Sequence, residues 1–169
     1  ISRMGASGSS AGPCAATVAG CVACAIGTET QGSIVSPARR CGLSALRPTF
    51  GRVSRHGGMV LAWSMDKVGP ICRTVEDCAL VFHAIHGSDE KDPATLTTPF
   101  RFRRDPDLSR LRVGYEAEAP PAFLEALRAL GADPVPMPEL PRGSSNALNV
   151  EGAAAFDFHI APEIAAEEA

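Results

Sequence analysis

Lysine is nearly absent from this sequence: of its 169 residues only Lys67 and Lys91 carry a side-chain amine, and the other basic side chains are arginines and a few histidines. Chemistry that needs an amine as its base therefore has two candidates, and neither context suits one. Lys67 follows Asp66, and Lys91 lies between Glu90 and Asp92. Acidic neighbours favour the charged ammonium over the neutral base. Also missing are any run of about 18 apolar residues, as a membrane span requires, and any charged-then-apolar leader. At 45% hydrophobic and 21% charged residues with a formal net charge of −3, no excess of positive charge points to nucleic acid either. Neither a membrane nor a nucleic acid is expected as a direct partner. Ile1 is not an initiator methionine, and Glu163 to Ala169 stop inside what reads as a helix. The chain is thus expected to be an internal fragment, and a leader lost upstream stays open.

The six cysteines are Cys14, Cys21, Cys24, Cys41, Cys72 and Cys78. Cys21 and Cys24 form a Cys-x-x-Cys, but no second Cys or His pair stands at zinc-like spacing, so no metal site is expected. They fall where the local pattern wants small apolar groups, which predicts reduced, buried thiols and a cytoplasmic setting.

What the sequence does have is two serine-bearing glycine loops, Gly8-Ser9-Ser10-Ala11-Gly12 and Thr28-Glu29-Thr30-Gln31-Gly32-Ser33-Ile34. Pro13 suits the first position of a helix, and Cys14, Ala15, Val18, Ala19 and Val22 recur at helical spacing as a buried face of small residues. Ala23 to Ile26 is a short apolar run ended by Gly27, read as a buried strand, so the second loop lies at a strand end. A glycine-rich loop there can turn several backbone N–H groups toward one point and hold a developing oxyanion. Ser33 is then the natural nucleophile. A serine hydroxyl needs a base within reach, and Ser9 or Ser10 can relay its proton toward one. One such loop alone is ordinarily a turn. Gly8-x-Ser10-x-Gly12 also fits a nucleophile elbow, but that motif needs a hydrophobic strand before it, and Ile1 to Ser7 is not one.

Taken together with Pro37, Cys41-Gly42, Leu46 to Ser54, Ser64-Met65-Asp66-Lys67-Val68-Gly69-Pro70 and Arg73 to Asp77, these loops resemble the amidase signature hydrolases. The match is specific over residues 5–87 and loose beyond. It implies an α/β fold, incomplete here, with a mixed, mostly parallel sheet covered by helices. It also implies cleavage of a carboxamide C–N bond through a seryl acyl-enzyme, without a cofactor, by a Ser–cis-Ser–Lys triad. Ser33 would be the nucleophile and Ser9, after a cis peptide, the relay. The N–H groups of Thr30, Gln31, Gly32 and Ser33 would form the oxyanion hole. The family's lysine precedes the first serine loop, so it would fall before Ile1. Two residues depart from the family pattern. Gln31 replaces a frequent glycine, which requires a negative φ or accepted strain, and Val35 replaces a frequent arginine, whose role would pass to Arg39 or Arg40 or be absent. The expected partner is a small amide substrate, with homo-oligomerisation or amidotransferase subunits both open. A stand-alone amidase, the glutaminase-type component of a tRNA-dependent amidotransferase and a non-catalytic derived module are the three readings. The upstream lysine separates the last from the others.

The rest of the chain reads as support. The expected division is a signature core over 1–87, a linker-like stretch over 88–110 and a peripheral part over 111–169. Leu43 to Leu46 predicts a strand. His56 stands alone in a polar loop, and Met59 to Trp63 predicts a wall of the substrate cavity or simple packing. Thr74 with Asp77 forms a capping box for a helix whose apolar face is Val75, Cys78, Ala79, Phe82 and Ile85. Asp89 to Asp107, with Arg101, Arg103 and Arg104, reads as a solvated linker. Leu111 to Tyr115, Pro121 to Leu130 and Asp133 to Met137 read as a βαβ unit. Pro134, Pro136, Pro138 and Pro141 then make its exit an edge or loop, and Glu151 to Phe158 reads as a helix.

Overall fold

The computed structural model describes residues 7–138 and 146–167. Pro141 and the first residues of the initial motif, Gly5 and Ala6, therefore lie outside the described residues, as do Glu168 and Ala169. The chain divides into two compact units, one of residues 1–101 with 145–169, the other of residues 102–144.

The first unit is built on a three-stranded sheet in which β3 (Lys67–Cys72) lies between β1 (Cys24–Glu29) and β2 (Ser44–Ala45). Both pairings are antiparallel, with register from Cys24↔Cys72 to Glu29↔Lys67 on one side and Ser44↔Cys72 on the other. The expectation of mostly parallel strands does not hold for this sheet. β1 and β3 are joined through α2 and β2 and return antiparallel. β1 is not buried on both faces: Gly27 and Glu29 point inward while Cys24, Ile26 and Thr28 are exposed. Pro70 sits inside the central strand, where a missing N–H would ordinarily break a ladder. Its carbonyl accepts from Leu46 N–H at 3.0 Å. Its nitrogen consequently faces that same edge, just past the end of the two-residue β2, and the pairing with β1 loses nothing.

Helix α1 (Ala11–Val18) begins before Pro13 rather than at it, and it ends in a Schellman motif. There Gly20 N–H bonds to Thr17 C=O at 3.2 Å and Cys21 N–H to Ala16 C=O at 3.0 Å. Of the five residues expected on the apolar face of this helix only Cys14 is buried; Thr17, one turn on, is buried as well, and Ala15, Val18, Ala19 and Val22 are exposed. Helix α2 (Val35–Cys41) has no local cap. The carboxylate of Glu29 accepts from the N–H groups of Ile34 at 2.7 Å and Val35 at 2.9 Å instead. The core is Cys14, Ile34, Ala38 and Ile71, with Cys41, Leu43 and Ala45 packed against it.

Helix α3 (Val75–Ile85) starts as the sequence predicts, Thr74 Oγ1 accepting from Asp77 N–H at 3.1 Å. It buries Cys78, Ala79 and Phe82 but leaves Val75 exposed. After it, the chain is tied back by Asp92, which is 7% exposed and accepts from Arg55 through side chain and backbone. Helices α4 (Pro121–Ala129), α5 (Asn146–His159) and α6 (Ala161–Glu167) follow in chain order. α5 fastens onto the stretch before β3, Glu151 accepting from the N–H of Ser64 at 2.9 Å and from its hydroxyl, while His159 stacks on Trp63.

The second unit holds β4 (Gly114–Tyr115), α4 and β5 (Val135–Pro136), the two strands pairing in parallel. This is the strand, helix and strand read from the sequence, with strands two residues long.

Candidate active site

The two serine loops are stitched together by backbone. Ser10 N–H donates to Ser33 C=O at 3.2 Å, and Ser10 Oγ both donates to Thr28 C=O at 3.0 Å and accepts from Thr28 N–H at 3.2 Å. Ser10 is 3% exposed. Its hydroxyl is therefore committed to backbone, which leaves Ser9 as the relay candidate of the pair. Gly8 makes this approach sterically feasible, because a Cβ there would stand 2.9 Å from Ser33 Cα and 3.1 Å from Pro37 Cδ. One expectation is corrected: among the described residues no peptide bond is cis, so Ser9 follows Gly8 through a trans bond. Trans is the lower-energy form for a residue other than proline, and the loop contacts around Ser9 are made with it.

The second loop turns at Gly32, whose φ of 82° lies in the left-handed region that glycine tolerates. Ser36 N–H closes the turn on Gly32 C=O at 2.9 Å. Gln31 takes no positive φ, so the residue that replaces a glycine does so without strain. Ser9, Thr28, Thr30 and Ser33 line one cavity of about 270 Å³, while Gln31 and Gly32 form the turn and are not in its wall. Arg55, Gly58 to Leu61 and Asp66 to Val68 complete its lining. Of the two outcomes expected for Met59 to Trp63, the cavity wall is realised by Met59, Val60 and Leu61. His56 is exposed.

Two residues the sequence offered no role turn out to clamp the loop. Asp66 Oδ1 accepts from Thr30 Oγ1 at 2.6 Å, and its Oδ2 accepts from the N–H groups of Leu61 at 2.8 Å and Ala62 at 3.1 Å. One carboxylate thus joins the Ser33 loop to the backbone of Leu61 and Ala62. Lys67 Nζ donates to Thr30 C=O at 3.1 Å. Its pKa is lowered, first by burial and then by Arg47, with Glu29 and Asp66 opposing. The sequence weighed only the acidic neighbour, and desolvation outweighs it. Arg47 lies against the inserted Glu29 carboxylate, its Nε 3.9 Å from Oε1. Arg55 braces the wall, donating to both oxygens of Asp92 and, at 2.7 Å, to Trp63 C=O.

The six thiols are free. Cys14 and Cys78 are buried as expected and Cys72 is buried too, but Cys21 and Cys24 are exposed, because α1 ends before them and the outer face of β1 is open. Burial pushes the Cys72 thiol up to about 12, helped by Cys78. No group of three metal-ligating side chains occurs among the described residues. No helix among them is long and apolar enough to cross a membrane.

The family model for Amidase matches residues 2–134. The chain belongs to the amidase family. The A-subunit of glutamyl-tRNA(Gln) amidotransferase from Akkermansia muciniphila is 43% identical over 114 residues, 66% of this chain and 24% of that protein. Among solved structures, the glutamyl-tRNA(Gln) amidotransferase A-subunit of Thermotoga maritima superposes with a TM-score of 0.75 at 30% identity, over 95% of this chain and 40% of that one. The peptide amidase of Stenotrophomonas maltophilia gives 0.70 at 36% identity, over 90% and 37%. This chain thus spans about a quarter of the curated amidotransferase relative and about two-fifths of the solved structures.

Proposed function

We propose that the full-length protein cleaves a carboxamide C–N bond through an acyl-enzyme on Ser33. The observation that carries this reading is the single cavity in which Ser9 and Ser33 meet beside the Gly32 turn. Ser33 Oγ attacks the amide carbon, and its proton passes to Ser9 and onward to a base. The oxygen that gains charge is received by the N–H groups of the 30–33 turn. Collapse expels the amine with a proton returned along the same relay, and water then releases the acyl group as a carboxylic acid. In the family scheme the terminal base is a lysine that precedes the first serine loop, a place that neither Lys67 nor Lys91 occupies. No metal or cofactor enters these steps. A small amide is the substrate, and the unpaired thiols suit a cytoplasmic setting.

A second reading, the glutaminase-type component of a tRNA-dependent amidotransferase, is favoured by the names of the curated relatives. It shares the chemistry and adds partner subunits that use the released ammonia. The test is labelling of the full-length protein with a fluorophosphonate, followed by assays of an aryl amide and of glutamine, with and without candidate partner subunits. Ser33 modified and amide hydrolysed supports both readings, and glutaminase activity that needs partners selects the second. An unmodified Ser33 and full turnover in Ser33→Ala would overturn them.

A further inference from the structure

The cavity between the serine loops is lined by three charged side chains, and two of them are spent. Asp66 has Thr30 on one oxygen and the N–H groups of Leu61 and Ala62 on the other. Arg55 has both oxygens of Asp92 and the carbonyl of Trp63. Lys67 is different. An ammonium has three donors, and the bond to Thr30 C=O occupies one. Asp66 is its sequence neighbour, yet no ion pair joins the two among the described residues. Much of the surrounding wall is apolar, from Met59, Val60, Leu61 and Val68.

We propose that Lys67 determines specificity by binding a carboxylate carried on the acyl part of the amide substrate. The inference rests on the reading that Ser33 is the nucleophile of this cavity. A half-buried ammonium has given up part of its water shell, and an anion restores that loss where a neutral apolar chain does not. Because the ammonium is held on Thr30, three residues before Ser33, a carboxylate on it and an amide carbon at Ser33 belong to one short molecule. Thr30 also links this contact to catalysis, because the residue that holds Lys67 begins the oxyanion turn.

The test uses the full-length protein carrying Ser33→Ala, which binds without turning over, and isothermal titration with 4-amino-4-oxobutanoate and with its methyl ester. The carboxylate is expected to bind at least tenfold more tightly than the ester. Lys67→Met and Lys67→Gln are expected to remove that preference, read in each variant as the ratio of carboxylate to ester affinity. Lys67→Arg is expected to restore most of it. Equal affinities in the parent, or a preference that survives Lys67→Gln, would overturn the assignment. Fluorophosphonate labelling of Ser33, in the protein that retains this serine and in its Lys67→Gln variant, separates the two readings. Labelling that persists in both while the parent shows no carboxylate preference condemns Lys67 alone, and absence of labelling in the parent condemns the nucleophile.

Discussion

Glu29 and Ile34 are joined by a 2.7 Å hydrogen bond in which a carboxylate 2% exposed accepts from the backbone N–H that directly follows Ser33. The same oxygen takes Val35 N–H, so one side chain caps α2 and fixes the exit of the Gly32–Ser33 turn. Arg47 offsets the buried charge from 3.9 Å and is itself half exposed.

Removing that carboxylate should be costly. Glu29→Ala leaves the buried Ile34 N–H and the part-buried Val35 N–H without their acceptor, and we expect a loss of about 3 kcal/mol of stability together with a fall in activity. Glu29→Gln keeps an acceptor and should lose about half as much. Thermal unfolding of the full-length protein and its variants measures both. An unchanged Tm in Glu29→Ala would show that the cap is not needed.

The Asp92 to Arg55 pair gives a pH dependence with a definite sign. The side-chain bonds from Arg55 come first, ahead of the opposing effect of burial, and hold the Asp92 carboxyl well below the usual carboxylate range. A group whose pKa is depressed on folding stabilises fully above its unfolded pKa, about 4, and loses that contribution as pH falls further toward the folded value. We expect Asp92→Asn to lose about 3 kcal/mol at pH 7. Its deficit relative to the parent should shrink below about pH 4. Urea unfolding at pH 7, 5 and 3.5 checks this, and a deficit that is constant across the series contradicts it.

Thiol reactivity should separate the cysteines. With its thiol pushed up to about 12, Cys72 is ionised to roughly one part in ten thousand at pH 8. Cys14 and Cys78 are raised as well, burial being the leading cause in both. Iodoacetamide at pH 8 should leave these three unmodified in the native protein and modify them after denaturation, as peptide mass spectrometry reads. The Cys21, Cys24 double alanine variant should keep full activity, and neither form should carry stoichiometric zinc by elemental analysis.

The parts of this architecture that were legible in the sequence are those whose cause is local. Thr74 caps a helix three residues ahead of its partner, and the serine loops announce a turn chemistry by their own glycines. What was illegible depends on residues far apart. Helix α2 has no cap of its own and borrows one from the end of β1. Strand β3 contains a glycine and a proline, and only the short reach of β2 makes Pro70 harmless there. The clamp on Thr30 joins residues 36 and 37 positions apart, and nothing in the acidic and basic pair Asp66-Lys67 distinguishes it from a solvated loop. Exposure of Cys21 and Cys24 is illegible because Gly20 stops the helix before Cys21 and the outer face of β1, where Cys24 stands, is uncovered.

Ser9 and Ser10 are adjacent, yet Ser10 is buried and Ser9 exposed, and a pair of alanine variants tests the proposed relay. Ser10 Oγ answers both the N–H and the C=O of Thr28 inside the protein, so Ser10→Ala should leave those groups unsatisfied and cost about 2 kcal/mol of stability. Any loss of turnover would follow from a loosened β1 to nucleophile loop, since Ser10 N–H still holds Ser33 C=O at 3.2 Å. Ser9 is exposed at the cavity, so Ser9→Ala should leave Tm within about 1 °C, as surface substitutions ordinarily do. It should nevertheless reduce kcat by about 10²- to 10⁴-fold, the range for a proton-transfer group, and a trapped water can sustain the residue of activity. Ser33→Ala should abolish acyl transfer because no atom replaces the attacking oxygen. Thermal melts and amide turnover on the three full-length variants give the comparison. If Ser10→Ala costs catalysis but no stability, and Ser9→Ala the reverse, the relay has been assigned to the wrong serine.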